Sequence, residues 1–208
     1  MTPQAVEALF TRDDGGFLFA RWGRPIAPVV FGVTDETLAV VKGAFEAVVA
    51  LAGHRMAGTD PELGSNCQMF FFRDWEELLE VPDLGRLLPD LPALVARLRE
   101  AGANQYRVFR FDEAGAIRAV FVFLRMDRAM ADQPAETLAL AQVAQVMLLW
   151  AEGAFRDRSP LALAGEQVIL RPDIAGVIRA AYDPVLPDVA RDPGHALRLF
   201  ARLRMGGS

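Results

Sequence analysis

Two histidines, His54 and His195, and one cysteine, Cys67, are the side chains of this sequence best suited to metal or nucleophilic chemistry. A hydrolytic zinc site needs two or three imidazoles or carboxylates around one ion. Neither histidine has a second one a helical turn away. His54 reads as a helix-end partner and His195 as a solvated helix residue. A nucleophilic cysteine needs a base beside it, whereas Cys67 opens onto the apolar run Gln68 to Phe72 and reads as a core thiol. The phosphate-cradling patterns G-x-G-x-x-G and G-x-x-x-x-G-K-[ST] are absent, as is G-x-S-x-G. Asp60, Glu62, Glu76, Glu77, Asp112 and Glu113 fall in turns or helix starts and read as solvated. One polar set remains. Gln142, Gln145 and Glu152 share a stripe of an otherwise apolar segment, Thr137 to Phe155. A buried, unpaired amide costs about 1–3 kcal/mol, so these groups must find partners or water. In one account Glu152 pairs with Arg156 and the glutamines tie loops to the core. In the other, all three line a cleft. They are the candidate binding residues; no catalytic residue, metal ligand or cofactor is assigned.

The elements that must position this stripe follow from periodicity and punctuation. Thr137 to Phe155 has no internal proline and is apolar nearly all round, which predicts a long helix buried on most sides. Before it, Thr2-Pro3 starts a short helix, and Phe17 to Trp22 and Ile26 to Gly32 read as strands, the second with Pro28 marking an edge. Thr34 caps a helix with apolar positions at Leu38, Val41, Phe45, Val48 and Ala52. Asn66 to Arg73 is too apolar to be a half-exposed strand. Val81 to Pro92 reads as a broken helical insert and Leu91 to Ala101 as a helix. Tyr106 to Phe111 and Ile117 to Met126 flank Glu113-Ala114-Gly115 as a β-hairpin. After Arg156 the chain loosens, then helices follow Pro172 and Pro193, the last ending at Gly206-Gly207. Strands with inserted helices, then helices alone, form an α+β pattern. The expectation is a single domain over residues 1–208. Residues 17–126 carry a mainly antiparallel twisted sheet on the long buried helix, and residues 134–208 form a helical part.

Composition narrows the function classes. The chain has 208 residues, 52% of them hydrophobic, enough for one well-buried core. Its 22 basic and 27 acidic residues give a net charge of -5, and the basic ones are scattered, so no nucleic-acid footprint is expected. No run of about 18 apolar residues lacks a polar interruption, which argues against a membrane span. No signal peptide is visible at the start. A single cysteine excludes an internal disulfide. The expected location is cytoplasmic, or periplasmic or exported if a leader has been removed.

Several short motifs carry a resemblance. Trp22-Gly23-Arg24-Pro25-Ile26 fits W-x-x-P-I; the Tyr106 to Met126 hairpin follows, then Ala141 to Leu149, and Ala181-Tyr182-Asp183-Pro184 stands where L-Y-D-P would. In that order, over residues 17–200, the chain resembles a bacterial "domain of unknown function" family of zincin-like proteins, whose helix reads E-E-x-x-Q-x-L-G-L. The resemblance implies a metallopeptidase-type α+β fold with Thr137 to Phe155 as the active-site helix. In true zincins that helix bears H-E-x-x-H. Carried onto this sequence, those positions are Ala141, Gln142 and Gln145. Alanine cannot ligate a metal, and a glutamine amide cannot take up a proton as glutamate does. The paired acids of the family's own motif are missing too, and the family's usual export signal is not seen.

The expectation is therefore a degenerate scaffold, a pseudoenzyme that binds an unidentified protein or peptide partner through the Gln142/Gln145 cleft or the Val81 to Pro92 insert. Two alternatives stand beside it. One is a metal-independent, hydrolase-like enzyme using Glu152 as acid or base near Gln145 and Arg156. The other is a homo-oligomeric structural subunit.

Overall fold

A computed structural model describes residues 1–205; the expected helix end at Gly206-Gly207 lies outside them. In chain order the elements are α1 (Pro3–Ala8), β1 (Phe19–Ala20), β2 (Pro28–Phe31), α2 (Asp35–Leu51), β3 (Cys67–Phe72), a 3-10 segment (Trp75–Glu80), α3 (Leu84–Leu87), α4 (Leu91–Glu100), β4 (Gln105–Phe111) and β5 (Ile117–Arg125). There follow α5 (Arg128–Ala131), α6 (Ala135–Val146), β6 (Leu161–Ala164), β7 (Gln167–Leu170), α7 (Pro172–Ala181), β8 (Val189–Ala190) and α8 (Gly194–Met205). The result is a mixed α+β domain. No described helix is long and apolar enough to cross a membrane.

The main sheet runs β2-β3-β5-β4. Its β4–β5 ladder is the expected hairpin, but β2–β3 and β3–β5 are both parallel. The expectation of a mainly antiparallel sheet is corrected accordingly. The physical reason lies in the connections: parallel neighbours need a crossover of a dozen or more residues. The 17-residue α2 supplies one between β2 and β3. Gly32 ends β2 at φ +80, and a Cβ there would sit 2.2 Å from the Phe71 carbonyl oxygen, so only glycine lets the chain turn this close to β3.

Both faces of this sheet are covered, which explains the continuous apolar runs of β3 and β5. On one face Cys67, Met69, Val120, Val122 and Leu124 join the main core with Val41 and Phe45 of α2 and Val143 and Val146 of α6. On the other, Phe72, Phe121 and Phe123 meet Trp75, Leu78, Leu91, Leu94 and Leu98 in a second cluster. The Val81 to Pro92 insert supplies Leu84, Leu88 and Leu91 to that cluster rather than standing away from the domain.

The predicted long helix is shorter than its composition suggests. It ends at Val146 without glycine or proline. Its final carbonyls are taken by side chains from elsewhere: Trp150 Nε1 donates to Ala144 O at 3.0 Å, Trp22 Nε1 to Val146 O at 2.8 Å, and the Tyr182 hydroxyl to Met147 O at 2.7 Å. These capping bonds satisfy the last-turn acceptors and release the chain into an irregular buried strip. Leu149 N then bonds Ala20 O at 2.9 Å, and Ala151 N bonds Leu9 O at 2.8 Å.

The region expected to be helical after residue 134 also holds a hairpin, β6–β7, with Gly165 at φ +63 in its two-residue turn, packed against α6. Its first strand, Leu-Ala-Leu-Ala, carries no β-branched residue, so strand propensity gave it no signal. A further pair joins β1 to β8.

Candidate functional site

The edge strand β4 and the helix α6 meet on the main-core face of the sheet. With a period of two, Gln105, Arg107 and Phe109 share one face of β4, while Tyr106 and Val108 join the second core cluster opposite. On α6, Gln142 and Gln145 lie three residues apart on one side. The strip released after α6 adds Leu149, Trp150, Glu152, Phe155 and Arg156, and Arg12 arrives from the turn after α1. Together they enclose a cavity of about 420 Å³.

Of the three residues singled out from sequence, Gln145 and Glu152 line this cavity, and Gln142 sits buried just behind it. Gln142 holds an arginine. Its Oε1 accepts from Arg107 Nη2, which also donates to Gln105 Oε1 at 2.9 Å; Gln142 Nε2 donates to the same Gln105 oxygen at 3.2 Å. Gln145 Nε2 donates back to Ala141 O of its own helix at 3.1 Å. Glu152 does not pair with Arg156. It forms an ion pair with Arg12, whose Nη1 also donates to Trp150 O at 3.0 Å.

Arg107 is the group that the sequence reading missed. Burial pushes its pKa down to about 10, so it stays charged at neutral pH. No carboxylate among the described residues pairs with it, and its buried Nε has no hydrogen-bond partner. A half-buried charge held only by neutral amides is costly, because Coulombic compensation is missing. Arg156 also lines the cavity and has no ion-pair partner among the described residues. From the sequence, Gln105 and Arg107 read as the solvent side of the alternating strand β4, so no local signal set Arg107 apart.

The walls are aromatic. Trp150 stacks on Phe10 at 5.5 Å between ring centroids and meets Phe155 edge-on at 5.1 Å. These contacts fix the Trp150 ring as a rigid side of the cavity.

The residues do not fit a metal. On α6, Ala141 has no ligating group to offer, Gln142 is committed to a cation, and Gln145 donates to its own helix. A divalent ion placed here would be repelled by Arg107. Among the described residues, no three His, Cys, Asp or Glu side chains are grouped to hold one. Both histidines lie outside the cavity. The His54 ring does not meet the end of α2 as expected: its Nε2 lies 2.9 Å from Arg24 O in the loop before β2. His195 is not solvated as expected: it is fully buried on the inner face of α8, its ring 4.4 Å from Phe19 of β1. Burial raises the Cys67 thiol pKa well above its ordinary value, which leaves it without nucleophilic character at neutral pH.

Asp60 also departs from the expected solvated face. It is buried, and accepts from Glu62 N and Leu63 N, each at 2.9 Å, from Asn66 Nδ2 at 3.0 Å, and from Arg24 Nη1 at 3.4 Å.

No family model, curated protein or solved structure matches the chain.

A second concave surface lies at the other end of the sheet. A groove of about 740 Å³ runs between Phe31, Phe70 and Phe72 on one side and Val81, Pro82 and Leu84 of the insert on the other. Phe31 is 45% exposed on the edge strand β2.

Proposed function

We propose that the protein is a non-catalytic binding protein on a degenerate zincin-like scaffold, with the cavity between β4, α6 and the strip after α6 as its ligand site. One observation carries the reading. The buried amide of Gln142 on α6 is spent on Arg107, while a cavity beside it keeps charged and amide groups facing aromatic walls. Ligand pockets are commonly built this way, with apolar walls and a few placed polar groups, in volumes of ~300–1,000 Å³. The ligand is a small molecule or the end of a peptide partner.

The test is binding without turnover. Small-molecule fragments followed by protein-observed NMR are expected to perturb the side-chain amides of Gln105 and Gln145. Metal analysis with a peptidase assay is the counter-test: stoichiometric zinc together with metal-dependent cleavage refutes the reading.

A metal-independent enzyme is the second reading, supported by Glu152, Gln145 and Arg156 lining one cavity. It requires Glu152 to leave Arg12 and act on a substrate. A turnover lost in Glu152→Gln while ligand affinity is kept would favour it over simple binding. The exposed aromatic edge at Phe31 supports the third, a homo-oligomer, which sedimentation of the whole chain decides.

A further inference from the structure

We infer that the cavity takes a monocarboxylate: a small organic acid, or a peptide end, whose carboxylate lies between Arg107 and Arg156 and whose apolar body lies against Phe109, Trp150 and Phe155. This deepens the ligand-site reading and rests on it.

The sign of the charge comes first. In a chain of net charge -5, the cavity is lined by three arginines and one glutamate. That glutamate, Glu152, is already engaged by Arg12. Arg107 and Arg156 remain without an acid among the described residues. The two glutamine oxygens orient the Arg107 guanidinium through Nη2, and Nη1 makes no hydrogen bond to a described residue. An arginine fixed by neutral acceptors is pre-organised to meet an anion, since little rotamer freedom is left to lose on binding.

The number of charges comes second. The cavity lies against Gln142 and Gln145, in the last turns of α6, which ends at Val146. A helix C-terminus carries partial negative charge. That field opposes a dianion more than a monoanion. Phosphate sites also lean on backbone N–H cradles at helix N-termini or glycine-rich loops, and this cavity is walled by side chains instead. Glu152 adds to the cost of a second negative charge. A single carboxylate with an apolar body fits both the cations and the aromatic walls.

The experiment uses the whole chain and matched pairs: benzoate, 3-phenylpropionate and hexanoate, each beside its neutral primary amide, with inorganic phosphate as a further probe. Affinity is read by protein-observed NMR titration. The acids are expected to bind at the cavity at least about tenfold more tightly than their amides, the scale of one charge-assisted hydrogen bond. Arg107→Gln and Arg156→Gln are each expected to weaken the acids about tenfold and leave the amides unchanged. Arg128→Gln, on the exposed helix α5, is expected to change neither. Arg156 is exposed and has no ion-pair partner among the described residues, so its variant keeps the test valid should Arg107→Gln fold poorly. Amides binding as well as acids, acids indifferent to both variants, or phosphate preferred over every acid would each overturn the carboxylate assignment while leaving a ligand cavity. Neither acids nor amides binding at the cavity would overturn the ligand-site reading and this inference with it.

Discussion

Two polar clusters, one just before β3 and one on the edge strand β4, are built on opposite principles. Around Asp60 every group is answered. Asn66 Oδ1 accepts from Ala27 N at 2.8 Å, and its Nδ2 donates to Pro25 O at 2.9 Å and to Asp60 at 3.0 Å. Burial alone would raise the Asp60 pKa, but the amides of Leu63 and Glu62, the Asn66 side chain and Arg24 more than reverse it, holding the carboxyl below its usual range. Around Arg107 the charge is unanswered: two glutamines hold the guanidinium in place and no anion neutralises it. A closed network with no cavity beside it ties loops to a sheet. An open one beside a cavity is poised for a ligand.

The sharpest break of the closed cluster is Asn66→Ala. It removes three hydrogen bonds and leaves Ala27 N and Pro25 O without that partner in a site where Asn66 is 1% exposed. The expected loss is about 3 kcal/mol of unfolding free energy, read from the denaturant midpoint. Ligand binding at the cavity, which none of these residues lines, is expected to be unchanged in the folded fraction. A loss of 0.5 kcal/mol or less, on the order of a surface substitution, would show that the cluster is ornamental.

His195 sharpens the contrast, because it is unanswered and yet lines neither the cavity nor the groove described above. Neither ring nitrogen has a hydrogen-bond partner. Burial first, then Arg198 and Arg21, push its pKa down to about 4, with Asp192 opposing. The fold thus holds the neutral ring. As pH falls below the ordinary imidazole value of about 6.5, the unfolded chain takes up a proton that the folded chain refuses until about pH 4. Stability is therefore nearly full at pH 7.5 and is expected to decline by about 2 kcal/mol by pH 5.0. Denaturant midpoints at pH 7.5 and 5.0 should differ more for the natural chain than for His195→Leu, which keeps the contribution of His54, a second imidazole whose pKa burial lowers. An equal slope in both would assign the decline to other groups.

These clusters also mark where the sequence was readable. The β4–β5 hairpin was legible because its turn is local, with Gly115 at φ +87. So was α2, whose Thr34 cap accepts from Thr37 N at 3.3 Å. The parallel pairing of β2, β3 and β5 was not, since register between distant strands leaves no local trace. The end of α6 was hidden for a related reason: Trp22, Trp150 and Tyr182 terminate it from outside, and only Trp150 is near it in sequence. Gln142, Gln145 and Glu152 stood out as polar exceptions in an apolar run. Arg107 did not, because alternation within β4 looked like an ordinary exposed face until α6 was laid over it.

A milder test asks whether the capped end of α6 supports the cavity. Tyr182→Phe removes the hydroxyl that donates to Met147 O at 2.7 Å, in a residue that is 9% exposed. The expected cost is about 1.5 kcal/mol, one neutral buried bond with its carbonyl left unpaired. Because the strip from Met147 carries Trp150 and Glu152 into the cavity wall, acid affinity is expected to fall a few-fold as well. Lost stability with unaltered affinity would separate the helix end from the site.

The smallest stability effect is the most telling. Removing a charge from a satisfied cluster destabilises, because its partners are left buried and unpaired. Arg107 has no charged partner to strand. In Arg107→Gln the neighbours Gln105 and Gln142 keep their own 3.2 Å bond, and an uncompensated half-buried cation disappears. Unfolding free energy is expected to stay within about 1 kcal/mol of the natural chain, or to rise. The same variant is expected to lose the acid preference of the cavity. Stability retained and affinity lost is the signature of a residue kept for a ligand rather than for the fold. A loss of about 3 kcal/mol, matching Asn66→Ala, would instead place Arg107 among the structural groups and erase the distinction between the two clusters.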